Sequence, residues 1–293
     1  MKLIDLFKQG KFVLTSEAGP PKGWQVDKLL HEMECIRGKV DAINVTDNQS
    51  SVMRLSPLVV SKMLKDKGFE PVYQITCRDR NRLALQSDIL GAAAFGIENL
   101  LMLTGDHNKL GDHPDSKPVF DLDSISLTYT VKRLEQGLDL AGNKLDGEPP
   151  KFCLGAVVSP CADNLDSQLF KMEQKIKAGV DFFQTQAVYE TDKFAKFMEK
   201  AKSLGAPVML GIVILKTAGM AKYMNENVAG VYVPDNLIEE LKKDKEKTKS
   251  GLTGIEIAGR LIREMKPLCQ GVHLMPLGWD DKVPAILSQG GVI

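Results

Sequence analysis

Three short runs place carboxyl, amide and hydroxyl groups where a strand would end and a loop begin. The run at 12–18, FVLTSEA, ends in Ser16 and Glu17 and leads into Ala18-Gly19-Pro20-Pro21. The run at 99–106, NLLMLTGD, ends in Thr104-Gly105-Asp106, and the run at 182–188, FFQTQAV, carries Gln184 and Gln186. A carboxyl group at the end of a buried strand is a candidate general acid, because burial disfavours the charged form. Glu17 is either such an acid or a loop carboxylate that follows a strand, and its type alone does not choose. Glycine at 105 would let a flat ligand approach the backbone beside the Asp106 carboxylate. Strand alternation puts Gln184 and Gln186 on one face. Buried amides need partners, so Gln186 at the outer end reads as a ligand contact.

Other polar groups end their runs less distinctively. Asn44-Val45-Thr46-Asp47-Asn48 could grip a polar ring, but Asp47 and Asn48 suit ordinary turn chemistry better than Thr46 does. Gln74-Ile75-Thr76-Cys77-Arg78 contains a thiol with no histidine near it in sequence, which favours a small buried residue over a nucleophile. His107, Asp112 and His113 share one loop without a fourth partner, a poor basis for a metal site, and no metal is expected. There is no P-loop, no GxGxxG fingerprint, and no Ser-His-Asp or Cys-His arrangement.

Groups at the ends of separate runs act together only if the runs lie side by side. The chain supplies eight short apolar runs, at 12–18, 42–47, 71–77, 99–106, 152–159, 182–188, 207–214 and 271–277. Most are near-continuous rather than alternating, as in strands covered on both faces. Longer amphipathic segments separate them. Val26, Leu29, Leu30 and Met33 share one helix face. A helix over 81–95 should end at Gly96, one over 167–178 at Gly179, and one over 191–204 should be capped by Thr191 and close on Gly205. A further helix over 254–268 precedes the last run. Eight strand–helix units predict a TIM (β/α)8 barrel, one domain over 1–293, with a doubly wound open sheet as the alternative. In such a barrel the reactive groups sit at the C-terminal ends of the strands. The loop at 107–123 exceeds the usual connection length, and the charged stretch at 235–250 reads as a helix with a solvated face.

Composition narrows the partners. The 293 residues hold 38 basic and 38 acidic side chains, so no global field attracts nucleic acid or an anionic membrane. Weak self-repulsion leaves an oligomer or a hetero-complex plausible. No apolar run reaches membrane-spanning length, and the charged N-terminal stretch does not read as a signal peptide. Five dispersed cysteines suit a reduced, cytoplasmic setting.

Taken in order, these run ends resemble the methylenetetrahydrofolate reductase family across nearly the whole chain, and most of all its short bacterial catalytic form. The resemblance rests on Glu17 with Pro20-Pro21, on 100–106 ending in Gly105-Asp106, and on Lys175, Ala178-Gly179 and Thr185-Gln186. It continues through Gly211-Ile212 with Val233-Pro234, Gly254-Ile255-Glu256 and Gly271-Val272-His273. It implies an oxidoreductase of one-carbon metabolism that reduces methylenetetrahydrofolate to methyltetrahydrofolate with hydride from a flavin, FAD by family habit. Glu17 would then be the acid that opens the folate's five-membered ring. Asp106 would face pterin and flavin, and Gln186 would hold the pterin. Thr46, Gln74, Thr104, Gly105, Asp106, Phe120, Asp121 and Lys175 would contact the flavin.

The chain departs from the family pattern at Gln74 and Thr104, where histidine and arginine are usual, and across 159–163. It departs again at Lys171, Gln174, Ala218 and Leu277-Gly278-Trp279. Several of these positions serve the distal half of FAD or the nicotinamide. FMN is therefore an option, as is an electron-delivering partner protein in place of NAD(P)H. Two other functions remain on the sequence: a folate-binding barrel subunit that depends on such a partner, and a folate-dependent methyltransferase barrel.

Overall fold

The computed structural model describes residues 1–293, the side chain of Lys245 apart. Eight strands, β1 (Val13–Ala18), β2 (Ala42–Val45), β3 (Pro71–Thr76), β4 (Asn99–Leu103), β5 (Cys153–Val158), β6 (Phe182–Ala187), β7 (Val208–Val213) and β8 (Gly271–Met275), form one closed barrel in sequence order. Every pairing is parallel, and β1 closes on β8 with Thr15 opposite His273. Closure rules out the open sheet.

The helices are α1 (Leu3–Lys8), α2 (Asp27–Glu34), α3 (Pro57–Asp66), α4 (Arg82–Ala94), α5 (Ser124–Glu135), α6 (Leu165–Ala178) and α7 (Thr191–Ala201). After β7 come α8 (Ala218–Asn227), α9 (Asp235–Lys243), α10 (Lys245–Ser250) and α11 (Leu252–Met265), and α12 (Val283–Gln289) ends the chain. The expected stops at Gly96, Gly179 and Gly205 are present, each at positive φ. Asn81 caps α4 by accepting from the Ala84 amide. Thr191 does not cap α7: the capping position is Glu190, and the Thr191 hydroxyl donates to Glu264. The charged stretch at 235–250 is two helices, broken where the Asp244 side chain caps α10. Its first helix buries Leu237, Ile238 and Leu241, so only the opposite face is solvated.

Inside the barrel the layers differ in chemistry. The floor is apolar, with Val13, Ala42, Val72, Leu101, Cys153, Phe182 and Met209 in one cluster that α1 closes with Leu3 and Leu6. The next layer up is polar and buried: Thr15, Asn44, Gln184 and His273. Above it the strand ends open into the loops of the C-terminal face. A large outer cluster joins the helices to the outward strand residues Leu14, Ile43, Phe183, Leu210 and Val272.

Candidate active site

A cavity of about 740 Å³ occupies the C-terminal mouth of the barrel. Glu17, Thr46, Gln74, Thr104, Gly105, Asp106 and Gln186, which lie in or just after five different strands, all line it. Residues scattered over about 170 positions thus meet because each lies in the upper part of, or just after, a strand of one closed sheet.

Glu17 is buried. Its Oε1 accepts from Gln49 Nε2 at 3.1 Å, and its Oε2 lies 3.7 Å from Nε2 of His273. Its immediate partners are therefore polar groups of the barrel and the loop after β2. Beneath it the chain of polar groups is continuous. His273 Nδ1 meets Thr15 Oγ1 at 2.9 Å, Gln184 Nε2 donates to Thr15 Oγ1 at 3.3 Å, and Gln184 and Asn44 exchange two amide hydrogen bonds. Gln184 is consequently satisfied by protein, whereas Gln186, two residues on, faces the cavity.

Asp106 is exposed at the mouth. The loops hold its backbone carbonyl, which accepts from Ser51 Oγ at 3.1 Å and from Arg78 at 3.4 Å. Arg78 is 2% exposed and ties three loops together, bonding also to Ser51 Oγ, the Asn48 carbonyl and Asp79. The segment it clamps is strained, with Asn48, Ser50 and Ser51 all at positive φ. Asp47 plays the structural part its type suggested: Oδ2 accepts from the Thr76 amide and hydroxyl, both at 2.8 Å, and pairs with Arg80. Gly105, at φ +94°, is a position that L side chains rarely adopt, and a Cβ there would stand 3.1 Å from side chains of Thr76 and Arg78.

The opposite wall is apolar, built by Met220 and Met224 of α8 with Val228 and Val231 beyond it. Lys216 enters from the same side. Its amine donates to the Leu277 carbonyl and lies 5.2 Å from the centre of the Trp279 ring, and burial lowers its pKa.

Three expected contacts lie elsewhere. Phe120 and Asp121 line a neighbouring shallow groove that shares only Thr104 with the main cavity. Asp121 accepts from the Arg82 amide and guanidinium, and those bonds pull its pKa down to about 2. Lys175 lies behind β5, donating to the Val157 carbonyl at 2.7 Å, and burial brings its pKa down to about 8, with Lys171 adding to the effect. His107 Nδ1 accepts from the Lys109 amide and His113 from or to Asp112, which also takes Lys22 and the Met53 amide. Among the described residues no three His, Cys, Asp or Glu side chains converge on a metal position. No helix among them is long and apolar enough to cross a membrane.

Thr15, Gln49, Arg78 and Lys216 escaped the sequence reading as site residues, and His273 entered it only as part of a matching stretch. The one signal available for His273 was a polar residue inside an otherwise apolar run.

The methylenetetrahydrofolate reductase family profile matches residues 2–291. Methylenetetrahydrofolate reductase 2 of Schizosaccharomyces pombe is 24% identical over 261 residues, 80% of this chain and 38% of that protein. The 5,10-methylenetetrahydrofolate reductase of Pectobacterium carotovorum subsp. carotovorum is 22% identical over 264 residues, 87% of this chain and 82% of that protein. This chain spans about a third to a half of the length of its eukaryotic relatives. A solved structure, described as a protein from Clostridium thermocellum that binds two copies of 5-methyl-5,6,7,8-tetrahydrofolic acid, superposes over 98% of this chain and 97% of its own. Its TM-score is 0.67 at 15% sequence identity, a likeness of fold.

Proposed function

The chain belongs to the methylenetetrahydrofolate reductase family, and on that premise we propose that it reduces 5,10-methylenetetrahydrofolate to 5-methyltetrahydrofolate at the barrel mouth. The observation that carries the reading is the convergence of Glu17, Asp106 and Gln186 on one cavity large enough for a pterin beside a second flat ring.

The cofactor implied by the family is a flavin, and the residues present fit one. The Thr46 hydroxyl is buried without a hydrogen-bond partner at the edge of the cavity. With the Gln74 amide and the exposed backbone at Gly105, it offers donors and acceptors for the polar edge of a flat ring, facing an apolar wall. When bound, the flavin supplies the hydride. The protein groups supply the rest. Glu17 is placed to give a proton to the folate ring nitrogen as the five-membered ring opens. Gln186 offers an amide to the pterin's own amide edge, and Asp106 presents its charge at the mouth, where positive charge develops on the folate.

Phe120, Asp121 and Lys175 would serve the distal part of the flavin only from the adjacent groove or through a released side chain. Asp121 is engaged by Arg82 and Lys175 by Val157, so neither FAD nor FMN gains support over the other. We take NAD(P)H or an electron-delivering protein partner as the source of reducing equivalents. Cofactor extraction followed by anaerobic addition of NADH tests the reading. Release of a flavin that NADH bleaches supports a self-sufficient enzyme, bound flavin that stays oxidised supports a partner, and a protein that takes up no flavin overturns the reading.

A further inference from the structure

The polar chain under Glu17 has a direction. Thr15 and His273 are register partners across the β1–β8 closure, and both are buried. The Thr15 hydroxyl has one proton to give. With the Gln184 amide oriented as it stands, Nε2 donating to Thr15 Oγ1, Thr15 accepts there and is left to donate to His273 Nδ1. A neutral imidazole that accepts at Nδ1 carries its proton on Nε2. At the other end Nε2 lies 3.7 Å from Glu17 Oε2, so a proton on Nε2 points toward that carboxyl group. The Thr15 end thus selects the tautomer, and the Glu17 end accommodates it.

We propose that Thr15 is a positioning residue that acts through His273: it fixes the Nε2–H tautomer, so that a donor already faces the Glu17 carboxylate when its proton has passed to the folate. The 3.7 Å separation is longer than a hydrogen bond, and we assign its closure to the ionised state of Glu17. The second step rests on the reading of Glu17 as the proton donor; the tautomer itself does not. Once Glu17 has given up its proton, the other tautomer would leave an Nε2 lone pair facing the carboxylate, a repulsive contact inside the barrel.

The test uses the whole chain and separates the two claims. Nitrogen-15 correlation spectra of the four histidines, assigned by loss of one signal in His273→Gln, report the tautomer in ligand-free protein. The wild type should show His273 neutral with the proton on Nε2. Thr15→Val, which keeps shape but loses the hydroxyl, should lose that preference, and Thr15→Ser should restore it. In turnover, Thr15→Val should lower kcat by about 10-fold or more, a fraction of what the general acid itself contributes, with KM for the folate held within about twofold. Thr15→Ser should recover most of that loss. An Nδ1–H tautomer in the wild type overturns the proposal, even if Thr15→Val fails to fold. So does a Thr15→Val protein with unchanged tautomer or unchanged kcat. A wild type without reductase activity sinks the functional reading instead, and the tautomer spectra then decide the positioning claim alone.

Discussion

The Gly211 amide donates to Thr185 Oγ1 at 2.8 Å, and this bond sets where Gln186 stands. The same hydroxyl donates to the Gln186 carbonyl at 2.7 Å, and the register of β6 with β7 shifts between Gln184 and Ala187. The bulge brings the β7 backbone so close that a Cβ on Gly211 would lie 2.1 Å from the Thr185 carbonyl oxygen.

Two substitutions should therefore disturb Gln186 without touching it. Thr185→Val should cost about 1–2 kcal/mol by leaving the Gly211 amide unpaired. Gly211→Ala should cost about 1–3 kcal/mol by overpacking. Both should weaken folate binding more than flavin binding. Denaturant unfolding and ligand titration check this; unchanged folate affinity in both variants would detach the bulge from the site.

Arg78 gives a second prediction. Its guanidinium bonds to Asn48, Ser51, Asp79 and the Asp106 carbonyl while 2% exposed. Arg78→Met should destabilise the fold by about 2–3 kcal/mol, less than the loss of a fully buried pair because Asp79 retains solvent. The strained turn at 48–51 should relax, making 48–51 and 106–107 exchange amide protons faster while the floor of the barrel stays protected. Uniform exchange behaviour across the barrel would count against a local clamp.

Asp280 supplies the pH dependence. Burial raises its pKa to about 6, with Glu32 and Asp281 adding to the rise and Lys216 opposing it. A carboxyl with a raised folded pKa binds more protons folded than unfolded. Its cost is absent below about pH 4, grows as pH rises through about 6, and is full above that. Asp280→Asn should thus stabilise the protein at pH 7–8 by about 1–2 kcal/mol, the smaller end of what two pKa units imply because solvent still screens the group. The gain should vanish near pH 4. Melting curves of both proteins from pH 4 to 8 check it, and a constant difference would contradict it.

Much of this was legible in the chain. Strands buried on both faces print near-continuous apolar runs, so the barrel and its rim followed directly, and Gly105 marked its own backbone requirement. Single-residue roles set by closure were not legible. His273 matters because β8 returns beside β1, a contact across 258 positions that no local pattern encodes. Arg78 sits next to an unremarkable thiol, and its meaning comes from three loops meeting. Helix α3 opens on Pro57, and α5 begins at an Asp123 capping box inside the stretch read as loop, so both went unassigned as helices. Phe120, Asp121 and Lys175 were placed by likeness of sequence, and tertiary partners, Arg82 and Val157, now occupy the latter two.

The central claim is that Glu17 protonates the folate while a flavin bound in the mouth supplies hydride. The direct measurement is a single turnover: the flavin-loaded, pre-reduced protein is mixed anaerobically with methylenetetrahydrofolate, and flavin reoxidation and 5-methyltetrahydrofolate are followed together. The account predicts that both appear at one rate in the wild type. It also predicts that Glu17→Gln, with flavin still bound and reducible, slows both by at least about 100-fold, the scale of a lost general acid. Reoxidation at the wild-type rate in Glu17→Gln, or no methyl product from the wild type, would contradict it.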